Sequence, residues 1–179
     1  TDTRKPVKGS IFFCLKGKNY NGNRFAYDAL NKGAKIIVID EKPKTNHPDF
    51  FFVNNTLKCL QLLAKKYRET LKMPILAITG TNGKTTTKNL ISDLLQTKLH
   101  VSSTKGNLNN HIGLPLTILS IRNDDDIAVL EFGASKLGDI TELCQIAQPT
   151  HGIITNIGKA HLEEFKNISN IIKTKTELW

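Results

Sequence analysis

Short, wholly apolar runs alternate along this chain with stretches in which apolar residues recur at helical spacing. In the first part, Ser10–Leu15, Ile36-Ile37-Val38-Ile39 and Phe50-Phe51-Phe52-Val53 read as buried strands. A helix is predicted over Arg24–Lys32, stopping at Gly33, and another over Asn54–Leu71 with Leu57, Leu60, Leu63, Ala64 and Tyr67 near one face. In the second part, Ile75–Ile78, a short segment near Leu99–Ser102, Ile127–Phe132 and His151–Thr155 read as strands. Helices are predicted from Lys84 to about Thr97, with Leu90, Ile91, Leu94 and Leu95 inward, over Asp139–Ala147, and in a final segment after His161. Strands that alternate with helices predict an α/β fold of layered parallel sheets. The predicted organisation is a small N-terminal α/β domain, 1–72, followed by the first part of a second α/β domain, 73–179.

Composition narrows the class. A charged fraction of 23% and a hydrophobic fraction of 39% fit a globular protein. No apolar run is long enough to span a bilayer and no signal peptide is visible, so a cytoplasmic protein without membrane insertion is expected. Cys14, Cys59 and Cys144 are far apart in apolar surroundings and read as reduced core residues. The net charge of +9 does not imply nucleic acid, because the lysines are dispersed and aromatic residues are not interleaved with them. A basic surface that handles polyanionic nucleotides accounts for it. The chain starts at Thr1 and stops at Trp179 just after a helical run, and so reads as a piece of a longer protein.

The chemistry concentrates in Pro74–Thr87. The apolar run Ile75–Ile78 breaks at Gly80-Thr81-Asn82-Gly83 into a helix that opens with Lys84-Thr85-Thr86. Strand, glycine turn, helix is the context in which Gly-Lys-Thr signals a phosphate loop. Backbone N–H groups of Thr81 to Thr85 are predicted to converge on phosphate oxygens, where the helix dipole favours an anion. Lys84 would neutralise the phosphates and the Thr85 hydroxyl would ligate Mg²⁺. The loop is shorter than the common G-x-x-x-x-G-K-[ST], since Ile78 stands where the first glycine belongs.

Three further groups are candidates beside plainer readings. Glu131 ends an apolar strand, where ligands of open α/β sheets collect, and is a candidate Mg²⁺ carboxylate or a simple loop acid. His161 follows another strand end and is a metal candidate or an ordinary histidine. The Asn107–His111 run is a polar binding loop or an Asn-rich surface turn.

These residues together resemble the Mur ligase family of peptidoglycan synthesis. Ala77–Thr86 is similar to that family's shortened phosphate loop. Gly106–Thr117, Glu131-Phe132-Gly133-Ala134 with Gly138-Asp139-Ile140, and Ile154–Gly158 with Ala160–Glu163 resemble its further motifs. Thr1–Arg4 and Gly9–Phe13 resemble its UDP-binding domain. The resemblance implies ATP on Gly80, Thr81, Asn82, Gly83, Lys84, Thr85 and Thr86, and Mg²⁺ on Thr85, Glu131, His161 and a carbamate formed from CO₂ on Lys175. Lys173 competes for that last role. It implies catalytic parts for Lys84, Glu131, His161 and Lys175, and substrate contacts from Thr3, Arg4, Asn107, Asn109, Asn110 and His111. The branch indicated joins UDP-N-acetylmuramoyl-tripeptide to D-alanyl-D-alanine, acting as a monomer. A tripeptide-forming Mur ligase, folylpolyglutamate synthase, a P-loop kinase and a non-catalytic UDP-sugar module remain alternatives at this stage. Glu163-Glu164-Phe165-Lys166 lacks the glycines usual in that part of the family.

Overall fold

The computed structural model describes residues 1–5, 7–158 and 167–179. They form two compact units, Thr1–Leu60 and Gln61–Trp179.

In the first unit, β1 (Ile11–Phe13), β4 (Ile36–Ile39) and β5 (Phe50–Phe52) make a parallel sheet in the order β1-β4-β5. Phe12, Ile37 and Ile39 pack with Ala26 and Ala29 of helix α1 (Ala26–Asn31). The turn-rich stretch between β1 and α1 contains an unanticipated hairpin, β2 (Lys16–Gly17) with β3 (Tyr20–Asn21), and a 3₁₀ turn over Gly22–Phe25. Cys14 is fully buried; Cys59 and Cys144 are only half-buried, and all three are free thiols.

The unit boundary falls within helix α2 (Thr56–Thr70) rather than at residue 72. Ala64, Leu71 and Met73 pack into the core of the second unit, which draws that half of the helix into it. Leu60 and Ala64 are buried as expected, but Leu63 is exposed, and the inner face is completed by Arg68. The Arg68 guanidinium donates to the carbonyls of Ala147 (2.9 Å), Leu71 (2.8 Å) and Gln148 (3.2 Å).

The second unit carries a parallel sheet in the order β7-β8-β6-β9, from β6 (Ile75–Thr79), β7 (Val101–Ser103), β8 (Ile127–Glu131) and β9 (His151–Ile154). Strands β8 and β9 flank β6, so the chain leaves the central strand toward one edge and later returns on its other side. A crevice at the carboxyl ends of the strands is the usual consequence of such a reversal. Ile75 and Ala77 pair with Ala128 and Leu130, and all four share one face. That face packs against α4 (Gly113–Ile118) and α5 (Asp139–Ala147) through Leu114, Ile118, Ile140 and Leu143. Alternation then sends Glu131 to the opposite face, where α3 (Lys84–Gln96) lies. Helix α6 (Ile168–Thr176) closes the described chain.

Helix α3 departs from the predicted pattern. Leu90 and Leu94 are 66% and 71% exposed, whereas Lys88 and Ser92 are buried. Apolar periodicity misassigns this helix because the surface it covers offers polar groups at the strand ends, as described below.

Candidate functional site

Gly80 and Gly83 shape the turn between β6 and α3. Gly80 has φ +142°, and a Cβ there would lie 2.0 Å from Thr155 Oγ1. Gly83 is the left-handed N-cap of α3, with φ +76° and no side-chain cap. The first turn of the helix therefore keeps donors with no intrahelical partner, and no acidic side chain lies in that turn.

The turn is stitched to the segment after β9. The Thr81 N–H donates to Asn156 O (3.0 Å), the Asn82 N–H donates to Asn156 Oδ1 (3.1 Å), and Asn156 Nδ2 donates back to Asn82 O (3.0 Å). Thr155 Oγ1 donates to Asn82 O (2.6 Å), and the Gly158 N–H donates to Thr81 Oγ1 (3.0 Å). Two of the five N–H groups expected to converge on phosphate are thus engaged by Asn156, which leaves those from Gly83 onward. Lys84 folds over the same turn, its Nζ donating to Gly80 O (2.9 Å) and Thr81 O (3.0 Å).

In the first turn of α3, Thr85 Oγ1 donates to Glu131 Oε2 at 2.7 Å, and Asn109 Nδ2 donates to Glu131 Oε1 at 2.7 Å. Glu131 is 2% exposed, and its N–H donates to Thr104 Oγ1 (2.9 Å). A groove of about 450 Å³ runs past this group, lined by Thr81 to Thr86 with Gly106, Asn107, Asn109 and Glu131.

The rest of the Asn-rich loop divides its labour. Asn110 Oδ1 accepts the N–H groups of Ile112 (3.1 Å) and Gly113 (2.9 Å) at the start of α4, and the residue lines the cavity described next. His111 Nε2 lies 3.0 Å from Asp139 Oδ1; its buried Nδ1 is 3.4 Å from Glu142 Oε2 without forming a hydrogen bond. Asp139 Oδ2 also accepts the N–H groups of Ser135 (2.8 Å) and Lys136 (3.0 Å). Burial pushes the Asp139 carboxyl up, but the bonds from Ser135, His111 and Lys136 outweigh it and hold the group below the usual carboxylate range.

A cavity of about 340 Å³ gathers Lys84, Asn109, His111, Ser135, Asp139 and Lys175. Lys175, on α6, is 4% exposed. Burial, aided by the charge of Lys84 and opposed by Asp139 and Glu177, lowers its amine to about 8. Glu177 fixes the end of α6 at the start of α5, where its carboxylate accepts the N–H groups of Gly138 (2.7 Å) and Thr141 (3.0 Å).

Sequence candidates are therefore brought together at the strand ends: the Gly80–Thr86 turn, Asn107, Asn109, Asn110, His111, Glu131 and Lys175. Lys173 is not among the residues that line the cavity. His161 lies outside the described residues. Thr3 and Arg4 belong to the first unit, where Arg4 Nε and Nη2 each donate to the Asp2 carboxylate at 2.9 Å and Lys32 Nζ donates to Thr3 O at 2.9 Å. Sequence reasoning missed Lys88, Thr104 and Glu177, and assigned Asn156 no part in holding the turn. Among the described residues no group of three His, Cys, Asp or Glu side chains could hold a metal ion by itself.

A parallel sheet, a glycine turn ending in Gly-Lys-Thr and a carboxylate on the neighbouring strand end define an α/β protein of the phosphate-loop class. Residues 78–179 match the Mur ligase middle domain. The chain belongs to the Mur ligase family. The UDP-N-acetylmuramoyl-tripeptide–D-alanyl-D-alanine ligase of Bacillus subtilis (strain 168) is 41% identical over 181 residues, an alignment covering 99% of this chain and 39% of the relative. The ligase of the same name from Rickettsia prowazekii (strain Madrid E) is 38% identical, with 96% and 38% covered. Among solved structures, MurF from Acinetobacter baumannii superposes with a TM-score of 0.93 at 34% identity, covering 99% of this chain and 39% of that one. MurF ligase from Thermotoga maritima, solved in complex with ADP, gives 0.91 at 37% identity, covering 99% and 41%. The chain thus spans about two fifths of the length of these relatives.

Proposed function

We propose that the protein to which this chain belongs is a cytoplasmic, monomeric ATP-dependent ligase that joins UDP-N-acetylmuramoyl-tripeptide to D-alanyl-D-alanine in peptidoglycan synthesis. The observation that carries the reading is the single cavity holding Lys84, Asn109 and Lys175, with Thr85 and Glu131 bonded at its neighbouring groove. The names of the similar ligases supply the substrates. The tripeptide carboxylate attacks the γ-phosphorus of ATP, giving an acyl phosphate and ADP. The amine of D-alanyl-D-alanine then forms the amide bond as phosphate leaves with the electron pair and the amine loses a proton.

Little covalent chemistry is asked of the chain; it positions the reactants and offsets charge. Lys84 exchanges its carbonyl partners for phosphate oxygens, and the donors from Gly83 onward face the anion. The Thr85 hydroxyl and Glu131 carboxylate, 2.7 Å apart, are hard oxygen donors of the kind Mg²⁺ prefers, and with His161 they would hold it. Bound there, Mg²⁺ supplies polarisation of the phosphoryl oxygens. Lys175 suits a carbamate, because an amine lowered to about 8 is more readily neutral and its nitrogen can attack CO₂ with loss of a proton. The N-terminal domain, with Thr3 and Arg4, would take the UDP end.

Lys84→Ala in the intact ligase is expected to abolish acyl-phosphate formation, read as ADP release dependent on tripeptide and D-alanyl-D-alanine. Near-native turnover by that variant would overturn the assignment. ADP release with the native protein that ignores D-alanyl-D-alanine would favour another branch of the family.

A further inference from the structure

Helix α3 buries a lysine and exposes two leucines. Lys88 is 4% exposed while Leu90 and Leu94 stand in solvent, the reverse of what partition between water and a core favours. Lysine is seldom fully buried, and an apolar side chain of similar volume at such a site is often neutral or stabilising. What residue 88 bonds to is therefore the informative feature.

Lys88 Nζ donates to Thr104 O at 2.6 Å. Thr104 is 1% exposed, follows β7, and begins the segment that carries Asn107 to His111. Its hydroxyl accepts the Glu131 N–H at 2.9 Å, while its own N–H donates to Val129 O at 3.2 Å. Glu131 in turn accepts from Thr85, one turn before Lys88 on α3. A closed ring results: Lys88 to Thr104, Thr104 to Glu131, Glu131 to Thr85, and Thr85 back along α3 to Lys88.

We propose that Lys88 is a positioning residue that, through Thr104, fixes the backbone of Glu131 and the root of the Asn-rich loop, so that the Thr85–Glu131 pair is preset for a divalent cation arriving with nucleotide. The proposal rests on the nucleotide reading above and adds to it a residue that touches neither ligand. Lys88 stands four residues after Lys84 on the same helix. Anchoring it to Thr104 O leaves Lys84 as the lysine over the phosphate turn.

The test compares Lys88→Met, Thr104→Val and Thr104→Ser with the native intact protein. The readout is binding of a fluorescent ADP analogue, titrated with Mg²⁺ and separately in excess EDTA, beside thermal unfolding. Loss of a direct outer contact to a metal-ligating side chain typically weakens the metal by about 10–100-fold, and Thr104 holds the Glu131 backbone rather than its carboxylate, so a smaller effect is expected. Lys88→Met strands the Thr104 carbonyl and is expected to fold with a Tm modestly below native, to raise the Mg²⁺ concentration at half-effect by about three- to tenfold, and to leave metal-free affinity within about twofold. Thr104→Val, which keeps the carbonyl but removes the hydroxyl, shifts Mg²⁺ dependence in the same direction, and Thr104→Ser restores it. A native Mg²⁺ midpoint in folded Lys88→Met overturns the role. So does a loss of metal-free affinity that matches the loss of Mg²⁺ response, which marks a merely structural lysine. Should Lys88→Met fail to fold, an unshifted Mg²⁺ midpoint in Thr104→Val overturns the proposal by itself. Native protein that binds the analogue with no Mg²⁺ effect overturns both the nucleotide reading and this inference. Native Mg²⁺ dependence that the variants leave unchanged removes the inference alone.

Discussion

Thr85 and Glu131, on a helix and on the strand beneath it, are joined by a 2.7 Å hydrogen bond in which the hydroxyl donates and the carboxylate accepts. Both are oxygen ligands of ordinary type for a hard cation, already in contact. Thr85→Val removes the hydroxyl at nearly constant volume. Asn109 still donates to Glu131, so the expected loss of stability is only about 1 kcal/mol. Mg²⁺-dependent nucleotide binding is expected to fall far more steeply. Denaturant unfolding and Mg²⁺ titration together check this; equal small effects on both would place the hydroxyl outside the binding chemistry.

Gly80→Ala is expected to cost about 2–4 kcal/mol, because it adds both left-handed strain and a Cβ 2.0 Å from Thr155 Oγ1. In a Thr155→Ala background the clash with Oγ1 is relieved, while the 3.1 Å approaches to Asn156 O and Thr155 N and the backbone strain remain. The double-mutant cycle in urea should therefore show a favourable coupling of roughly 1 kcal/mol. Strict additivity would mean that the Thr155 side chain turns aside freely.

Arg68 offers a sharper stability test. Its guanidinium serves carbonyls of Ala147, Leu71 and Gln148 from a buried position, which joins the C-terminal ends of α2 and α5. Arg68→Met should cost about 3 kcal/mol, since it strands three acceptors. Arg68→Lys should recover little, because one amino group cannot reproduce a planar fork. Chemical denaturation decides it, and a lysine variant equal to native would show that charge alone suffices.

Lys175 sets a pH dependence. Its folded-state amine is lowered to about 8 from the ordinary 10.5, so the unfolded chain binds the extra proton between those values. The burden on stability is complete below about 8 and is relieved as pH rises from about 8 to about 10.5. Stability measured across that window should rise more in the native protein than in Lys175→Met. Identical slopes in the two would show that the amine is not perturbed. The same lowering predicts that ¹³C-labelled bicarbonate gives a carbamate signal in native protein that Lys175→Met lacks.

How much of this was legible beforehand differs by element. The phosphate turn was readable because strand, glycine and Gly-Lys-Thr are contiguous, and Glu131 because it ends an apolar run. Helix α3 was not. Its leucines suggest an apolar inner face, yet the groups it meets include Thr104 and Glu131, which call for Lys88 and Thr85. Leu63 on α2 is misread for a related reason, since Arg68 takes the inward position by offering donors to otherwise bare helix ends. Asn156 lies 74 residues from Asn82, and no local pattern announces a side chain that pairs with a backbone so distant. The two-residue strands of the β2–β3 hairpin are too short for any periodicity to register.

The Asn156 clasp gives the phosphate turn a mechanical neighbour. Because Thr81 and Asn82 are laced to Thr155, Asn156 and Gly158, displacement of the turn by an incoming anion would drag the chain that leaves β9 along with it. Occupancy of the nucleotide pocket is in that way expected to be felt at Thr155, Asn156 and Gly158. Amide exchange at residues 155–158 would register the arrival of phosphate without any label on the ligand.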